Sequence, residues 1–291
     1  MGKAYKLGLY EKAMPQGLSW ERRLQLAAEC GFDYVEISID ESDARQARLD
    51  WSAGERADVV GAMRNAGVAL ESMCLSGHRK WPFGAADPKK REYGLIMMDK
   101  ALELACDLGL RTIQLAGYDY YYETDACEDS AHYFAENLAK ACEMAAVAGV
   151  SLGFETMETP FMDTVEKAMR YVDEIDSPFL GVYPDVGNLT NASLIYGRSV
   201  ADDLATGKGH ILAAHMKATR AGQYRDLLFG EGTTDYDGAL AQLIPQGVRR
   251  YVCELWYLGS ASWQDDVGHA ARFVREKIDH ALERHGWGNG V

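Results

Sequence analysis

The chain has 291 residues, of which 47% are hydrophobic and 25% are charged, proportions that are ordinary for a globular protein. Its formal net charge of −14 disfavours binding along a nucleic-acid backbone, which needs clustered lysine and arginine, although a local pocket can still be basic. No apolar run approaches the roughly 18 residues of a membrane span, and the start lacks the long apolar stretch of a signal peptide. We therefore expect a cytoplasmic protein with no nucleic-acid or membrane partner.

Eight short apolar segments, rich in residues that favour strands, recur along the chain. They predict strands at residues 6–10, 34–38, 69–74, 111–115, 151–156, 180–184, 211–216 and 251–255. Segments with helical spacing lie between or after them, at 20–30, 91–108, 134–148, 164–175 and about 263–284. Glycines at positions 31, 67, 109 and 149 come just before the next strand, where they are typical of helix C-caps.

Strands that alternate with helices of this length predict a parallel sheet, because each crossover returns the chain to the same end of the sheet. Eight such units favour a closed (β/α)8 barrel over an open doubly wound sheet. The glycine fingerprint of an open nucleotide-binding sheet is missing after the first strand, and Gly230-Glu231-Gly232 comes only after the seventh. We therefore predict an α/β fold with a single TIM-barrel domain spanning residues 1–291.

Six cysteines are scattered along the chain without a Cys-x-x-Cys pair. Because disulfides are rare in the cytosol, we expect these residues to be reduced and to act mostly as small buried hydrophobic groups. Their spacing also disfavours a zinc–thiolate site.

Four consecutive predicted strands end in a side chain that can bind a metal ion. Glu155 is at the end of the fifth strand, Asp185 of the sixth, His215 of the seventh and Glu254 of the eighth. In this fold the chemistry lies at the carboxyl ends of the strands, so these side chains should meet at one mouth of the barrel.

Each of these residues alone has another interpretation. Glu155 could cap a helix or pair with a lysine, and Asp185 could shape a turn. His215 could be a hydrogen-bonded core histidine, and Glu254 could belong to a buried ion pair. Together, three carboxylates at one mouth would repel unless a cation or protons compensated them. The set therefore predicts one divalent ion, Zn²⁺, Mn²⁺, Co²⁺ or Mg²⁺.

Such an ion is a Lewis acid that could hold the carbonyl and neighbouring hydroxyl of a sugar and stabilise an enediolate. Glu155 and Glu254 lie on different strands and could reach the sugar from different sides, as base and acid in turn. We therefore predict that both are catalytic in an epimerisation, in which the proton leaves one face of the sugar and returns to the other.

Five segments in chain order carry a family resemblance. They are Gly8-Leu9-Tyr10-Glu11-Lys12-Ala13, Cys74-Leu75-Ser76-Gly77-His78-Arg79, Gln114-Leu115-Ala116-Gly117-Tyr118-Asp119, Tyr183-Pro184-Asp185-Val186-Gly187-Asn188-Leu189 and Phe229-Gly230-Glu231-Gly232. Together they resemble the L-ribulose-5-phosphate 3-epimerase group, and within it the L-xylulose-5-phosphate 3-epimerases that are also called hexulose-6-phosphate isomerases.

The resemblance covers nearly the whole chain and implies a xylose-isomerase-like TIM barrel. It implies that the enzyme interconverts L-xylulose 5-phosphate and L-ribulose 5-phosphate in ascorbate and related pentose catabolism, and that it forms a homodimer. It assigns the acid–base pair to Glu155 and Glu254, and the metal to those two residues with Asp185 and His215.

A small phosphorylated ketopentose needs a cationic or amide-rich anchor. The candidates near the predicted strand ends are Lys12, His78, Arg79, Lys217 and Arg225. Each could also be a solvated surface charge, and His78 and Arg79 are favoured because they follow the third strand directly. Asn188 and Glu36 complete the set of candidates. Asn188 could bind a hydroxyl or steady a ligand. Glu36 could reach the pocket floor or pair with a lysine.

Four other functions remain open. An aldose–ketose isomerase or a sugar dehydratase could use the same ligands with a different proton transfer. A zinc nuclease on the same barrel is disfavoured by the acidic charge and because it needs a histidine-rich trinuclear site, whereas only His78 and His215 of the seven histidines lie at predicted strand ends. A non-catalytic sugar-phosphate sensor is possible, although it would not require both Glu155 and Glu254.

Overall fold

A computed structural model describes residues 4–286, so residues 1–3 and 287–291 of the predicted domain lie outside the described part. Its eight strands are β1 Lys6–Tyr10, β2 Tyr34–Ile39, β3 Ala69–Leu75, β4 Thr112–Ala116, β5 Ser151–Glu155, β6 Leu180–Val182, β7 Ala214–Met216 and β8 Arg250–Cys253. Each falls on a segment that the sequence predicted as a strand. The largest differences are at β7, which begins three residues later than predicted, and at β8, which spans residues 250–253 instead of 251–255.

All paired strands are parallel, in the order β6-β5-β4-β3-β2-β1-β8-β7. The two outer strands of this order meet through parallel bridges that join Val182 to Ile211 and Asp185 to His215. The amide of His215 donates to the carbonyl of Pro184 at 2.9 Å. The sheet therefore curls into a barrel, and the predicted (β/α)8 fold is confirmed.

Ten α-helices connect or flank the strands in the described residues. They are α1 Trp20–Glu29, α2 Asp43–Gln46, α3 Ala53–Ala66, α4 Pro88–Leu108, α5 Ser130–Ala148, α6 Val165–Ile175, α7 Val186–Tyr196, α8 Val200–Thr206, α9 Tyr236–Leu243 and α10 Trp263–Arg284. Four short 3-10 helices lie at Glu11–Ala13, Ala47–Asp50, Ser76–Arg79 and Glu123–Asp125. Within residues 4–286, no helix is long and apolar enough to cross a membrane.

Local sequence signals explain where several helices begin and end. Ser52 and Glu55 form a reciprocal capping box at the start of α3. Gly109 and Gly149 end α4 and α5 in the left-handed conformation, with φ of 74° and 68°, which glycine adopts at low cost. These features fix the lengths of the crossovers, and through them the positions of the strand ends.

The barrel interior is filled by aromatic side chains below its polar mouth. Tyr10, Tyr34 and Tyr183 are buried there together with Val252. Gly8 makes room for the ring of Tyr34, because a Cβ at position 8 would lie 2.4 Å from that ring. Since this layer fills the barrel, polar groups that bind a ligand must lie above it, at the carboxyl ends of the strands. None of the six cysteines is paired, and only Cys74, Cys142 and Cys253 are buried, so the expectation that most of them are buried holds for half.

Candidate metal centre and substrate cleft

The four predicted ligands meet at the carboxyl end of the barrel. Glu155 is the last residue of β5, His215 is in the middle of β7, and Glu254 follows directly after β8. Asp185 lies three residues beyond β6, where its Oδ1 caps α7 by accepting the amide of Asn188 at 2.6 Å. All four are buried, and one ligand atom from each lies within 4.8 Å of the others.

The ring of His215 is at the centre of this group. Its Nδ1 lies 3.2 Å from Oε2 of Glu254, 3.7 Å from Oε1 of Glu155 and 4.0 Å from Oδ2 of Asp185. One imidazole nitrogen and three carboxylates thus point at a common volume. This is the mixed nitrogen and oxygen donor set that suits Mn²⁺, Mg²⁺, Co²⁺ or Zn²⁺.

Two buried oxygens in the group fit a bound cation. Oδ2 of Asp185 and Oε2 of Glu254 are buried and accept no hydrogen bond. The ammonium group of Lys217 lies 3.0 Å from the first and 3.4 Å from the second, so it compensates part of their charge without a well-directed hydrogen bond. Buried carboxylate oxygens without partners are costly, and coordination to an ion would satisfy them. The four residues could therefore hold one divalent ion.

The two glutamates differ in how strongly they hold a proton. Burial raises the pKa of Glu155, and the nearby charge of Glu254 raises it further. Burial alone would also raise the pKa of Glu254, but the positive charges of Lys217 and His215 hold it well below its ordinary value. Such divergence between two carboxyl groups at one site is what an acid–base pair requires.

Glu155, Asp185, His215 and Glu254 form the candidate metal-binding group. A cleft of about 470 Å³ opens above it. It is lined by Tyr10, Lys12, Cys74, Ser76, Arg79, Glu155, Met157, Glu158, Asn188, Lys217, Tyr224, Arg225, Glu254 and Trp256. A larger cavity of about 640 Å³ lies outside the barrel mouth, beside α6 and α7, but none of the four predicted ligands lines it. The smaller cleft is therefore the candidate substrate site.

Five of the seven predicted substrate contacts line this cleft, whereas His78 and Glu36 do not. His78 is buried against Phe83, with ring centroids 4.4 Å apart, and its Nε2 lies 3.1 Å from the carbonyl of Gly94. Burial lowers its pKa from 6.5 to about 4, so it carries no positive charge at neutral pH. The prediction that His78 anchors a phosphate is corrected, because its side chain faces the helix layer.

Glu36 lies beneath the site, fully buried behind His215. Its Oε1 is 2.6 Å from Nε2 of His215, on the side of the ring away from the other carboxylates. It does not line the cleft itself, and its partners are His215, Ser72 and Tyr183 and not a lysine. Its close contact is with His215, one of the four predicted ligands.

Arg79 follows His78 directly but points into the cleft. Its guanidinium group stacks on Tyr118 and Tyr121, 5.4 Å and 5.0 Å from the ring centroids. Its Nε is buried and has no hydrogen-bond partner. An arginine that packs over two aromatic rings and has a donor nitrogen without a hydrogen-bond partner is well suited to bind an anion.

The remaining candidates are already paired. Lys12 lies 2.6 Å from Asp40, and Lys217 donates to Oδ1 of Asn188 at 2.8 Å. The Nδ2 of Asn188 in turn donates to the carbonyl of Thr156, which ties the start of α7 to the end of β5. Arg225 sits at the rim, where its pairing with Glu158 is longer, at 3.4 Å.

Sequence reasoning did not predict several residues that line the cleft. Tyr10 ends β1, and Trp256 lies two residues beyond Glu254, so the rule that strand ends carry the chemistry could have identified both. Tyr224 lies in the long segment between β7 and α9. No local pattern indicates that this segment folds back over the cleft.

Comparison with known proteins places the chain in a family. Residues 24–277 match the family model described as Xylose isomerase-like TIM barrel. The chain is 44% identical over 284 residues to SgbU of Escherichia coli K12, whose assignment as an L-ribulose-5-phosphate 3-epimerase is provisional; the match covers 95% of this chain and 98% of SgbU. It is 40% identical over 282 residues to the L-ribulose-5-phosphate 3-epimerase UlaE of Salmonella paratyphi C, and this match covers 97% of this chain and 98% of UlaE.

A solved L-ribulose 3-epimerase has the same fold, with a TM-score of 0.80 over 97% of each chain and 17% sequence identity. The fold, the family model and the two relatives agree with one another. The chain therefore belongs to the L-ribulose-5-phosphate 3-epimerase family of xylose isomerase-like TIM barrels and is an enzyme of the isomerase class.

Proposed function

We propose that the protein is a metal-dependent 3-epimerase that interconverts L-xylulose 5-phosphate and L-ribulose 5-phosphate. The observation that carries this proposal is the convergence of Glu155, Asp185, His215 and Glu254 below a cleft with cationic side chains. It is supported by the two relatives that are 40% and 44% identical to the chain over nearly its full length, because both are named as L-ribulose-5-phosphate 3-epimerases, the second provisionally.

In this proposal the four residues hold one divalent ion, which is Zn²⁺, Mn²⁺, Co²⁺ or Mg²⁺. The bound ion supplies positive charge beside the sugar oxygens on which negative charge develops when a proton is removed. The two unpaired oxygens, Oδ2 of Asp185 and Oε2 of Glu254, support this assignment. Lys217 compensates part of the remaining charge from the side.

The proton transfers fall to Glu155 and Glu254. The carboxylate of one glutamate removes the proton from C3 of the ketose, and the carboxyl group of the other returns a proton to the opposite face. In the reverse reaction the two residues exchange these roles. Their attachment to β5 and to the segment after β8 supports this division, because the two side chains enter the cleft from different strands.

The phosphate group is assigned to the cationic side of the cleft, with Arg79 as its main partner and Lys12 nearby. Arg79 has a buried donor without a partner, whereas Lys217 and Asn188 already bind each other. Lys217, Asn188 and Arg225 are assigned to the sugar hydroxyls. Glu158, which accepts the hydroxyl of Tyr118 at 2.7 Å, is a further polar group near this end.

The proposal includes one catalytic domain spanning residues 1–291, a cytoplasmic location and a homodimer. The single domain is supported by the pairing of β1 with β8, which joins the two ends of the barrel sequence. It is further supported by Arg275 of α10, which donates to the carbonyl of Gly31 at 2.6 Å. The homodimer and the place in ascorbate catabolism are what the family resemblance implies, and the cytoplasmic location is an expectation from the sequence.

The test is proton NMR of L-ribulose 5-phosphate in D₂O with the purified protein. We expect L-xylulose 5-phosphate to form while deuterium enters at C3, and a chelator to stop both processes until Mn²⁺, Co²⁺ or Zn²⁺ is added. Unphosphorylated L-ribulose, run in parallel, tests whether the phosphate is needed.

Other products identify the alternative functions. An aldopentose phosphate would indicate an aldose–ketose isomerase, and loss of water would indicate a dehydratase. Binding of the sugar phosphate without any turnover in the presence of metal would indicate a sensor. Any of these outcomes would replace the epimerase proposal.

A further inference from the structure

The nitrogen of His215 that faces the metal-binding group is Nδ1, and the structure contains a device that keeps this nitrogen available. A neutral imidazole has one protonated and one bare nitrogen, and only the bare one can bind a metal ion. The contacts on the other edge of the ring therefore decide whether His215 can act as a ligand.

Those contacts come from Glu36. Its Oε1 lies 2.6 Å from Nε2 of His215, and both side chains are fully buried. A carboxylate accepts hydrogen bonds but does not donate them, so the proton of this pair belongs on Nε2. The neutral ring then presents a bare Nδ1 to Glu155, Asp185 and Glu254.

The other oxygen of Glu36 is held separately. Its Oε2 accepts the hydroxyl of Ser72 at 2.6 Å and the hydroxyl of Tyr183 at 2.9 Å. A shift of the β2–β3 register between Val35 and Glu36 pairs Glu36 with Ser72 in the sheet. Tyr183 also packs edge-on against the ring of His215, with centroids 5.1 Å apart. The carboxylate thus has one oxygen fixed by two donors and the other committed to His215.

The amide of Gln114 also lies against this ring, and it does not choose between the two nitrogens. Its amide nitrogen lies 3.2 Å from Nδ1 and 3.2 Å from Nε2. Glu36 contacts Nε2 at a shorter distance and as a pure acceptor. The preference between the two nitrogens therefore depends on Glu36.

We propose that Glu36 is a positioning residue whose Oε1 fixes the tautomer of His215 for metal binding. This inference rests on the proposed metal site and adds a residue that neither contacts the substrate nor ligates the ion. Partners of this kind typically change metal affinity by about 10- to 100-fold when they are removed.

The experiment compares Mn²⁺ affinity, measured by calorimetric titration, in the wild-type protein and three variants. Glu36→Met keeps the length of the side chain but removes the acceptor, and we expect it to weaken Mn²⁺ binding by about 10- to 100-fold. Glu36→Gln retains one oxygen for Nε2–H, so we expect a substantial recovery of affinity. Ser72→Ala is the matched control, because it removes a buried contact of Glu36 but leaves Oε1 facing His215.

A second measurement does not depend on any variant. In the Zn²⁺-loaded wild-type protein with ¹⁵N-labelled histidine, two-bond correlations should identify a metal-bound Nδ1 and a slowly exchanging proton on Nε2 of His215. Zinc bound through Nε2 overturns the inference, as does Mn²⁺ affinity of Glu36→Met within twofold of wild type. If Ser72→Ala weakens binding as much as Glu36→Met, the effect is general packing and the inference also fails.

These outcomes are separate from a failure of the proposed function. Absence of Mn²⁺ and Zn²⁺ binding to the wild-type protein would overturn the metal-dependent mechanism itself. Normal binding by both the wild type and Glu36→Met would overturn only the role of Glu36.

Discussion

The ammonium group of Lys217 lies 3.0 Å from Oδ2 of Asp185, so a buried cation already faces the oxygen that has no hydrogen bond. The same group is 3.4 Å from Oε2 of Glu254. Lys217 therefore has two opposed effects: it offsets the charge of the carboxylates when the ion is absent, and it repels the ion when it arrives.

We expect Lys217→Met to destabilise the metal-free protein by about 3–5 kcal/mol, the usual cost of leaving a buried charge without its partner. A bound ion replaces the lost cation, so saturating Mn²⁺ should recover much of this loss, and Mn²⁺ should bind more tightly than in wild type. Urea unfolding with and without Mn²⁺ measures both effects. Lys208→Met, at an exposed position, is the control. Equal destabilisation with and without the ion would contradict this account.

We expect Glu155→Gln and Glu254→Gln each to lower the epimerisation rate by about 10²- to 10⁴-fold, because each removes one of two proton-transfer groups. Each variant keeps the glutamate that serves the other face of the sugar. In D₂O, one variant should therefore exchange the C3 proton of only one epimer, and the second variant that of the other. Deuterium uptake by NMR tests this pattern, with the exposed Glu128→Gln as control. Exchange of both epimers by either variant would rule out the two-glutamate division.

We expect Arg79→Met to raise KM for the phosphorylated ketose by roughly 10- to 100-fold, the equivalent of one lost charge-assisted hydrogen bond. The turnover number should change less, because Arg79 is neither of the two proposed proton-transfer groups. Steady-state kinetics with L-ribulose 5-phosphate and with L-ribulose separate the two effects, and Arg64→Met, at an exposed position on α3, is the control. A similar loss for both substrates would show that Arg79 does not recognise phosphate.

His78 should make the protein less stable in mild acid. Burial lowers its pKa from 6.5 to about 4, so the unfolded chain takes up a proton in this interval and the folded chain does not. The free energy of unfolding therefore has its full value, as far as His78 is concerned, above pH 6.5. It decreases as the pH falls towards 4, and the total decrease is about 3 kcal/mol.

The test is urea unfolding of wild type and His78→Gln at several pH values. Glutamine does not titrate, so the difference in unfolding free energy between the two proteins should change across this interval. Asn65→Gln, at an exposed position on α3, is the non-titrating control and should leave the pH dependence unchanged. A constant difference between wild type and His78→Gln would refute the assignment.

The positions of β1 and β5 and the limits of α10 follow closely from the pattern of apolar residues. The capping glycines at positions 109 and 149 also lie where local chemistry predicts. Asp185 is a more instructive position. It was predicted at the end of β6, but β6 stops at Val182 and Asp185 instead caps α7. The carboxylate still reaches the site. Only its Oδ1 is used by the cap, so its Oδ2 can face His215 and the other predicted ligands.

The sequence by itself determined the barrel and which four polar residues meet at its mouth, because strand periodicity and the polar residues at strand ends are local properties. Only the tertiary structure decided the direction of each neighbouring side chain. In the 3-10 helix Ser76–Arg79, two successive residues point apart, so Arg79 enters the cleft and His78 enters the helix layer. The pairing of Glu36 with His215 joins residues 179 positions apart, and such contacts arise only when the barrel closes.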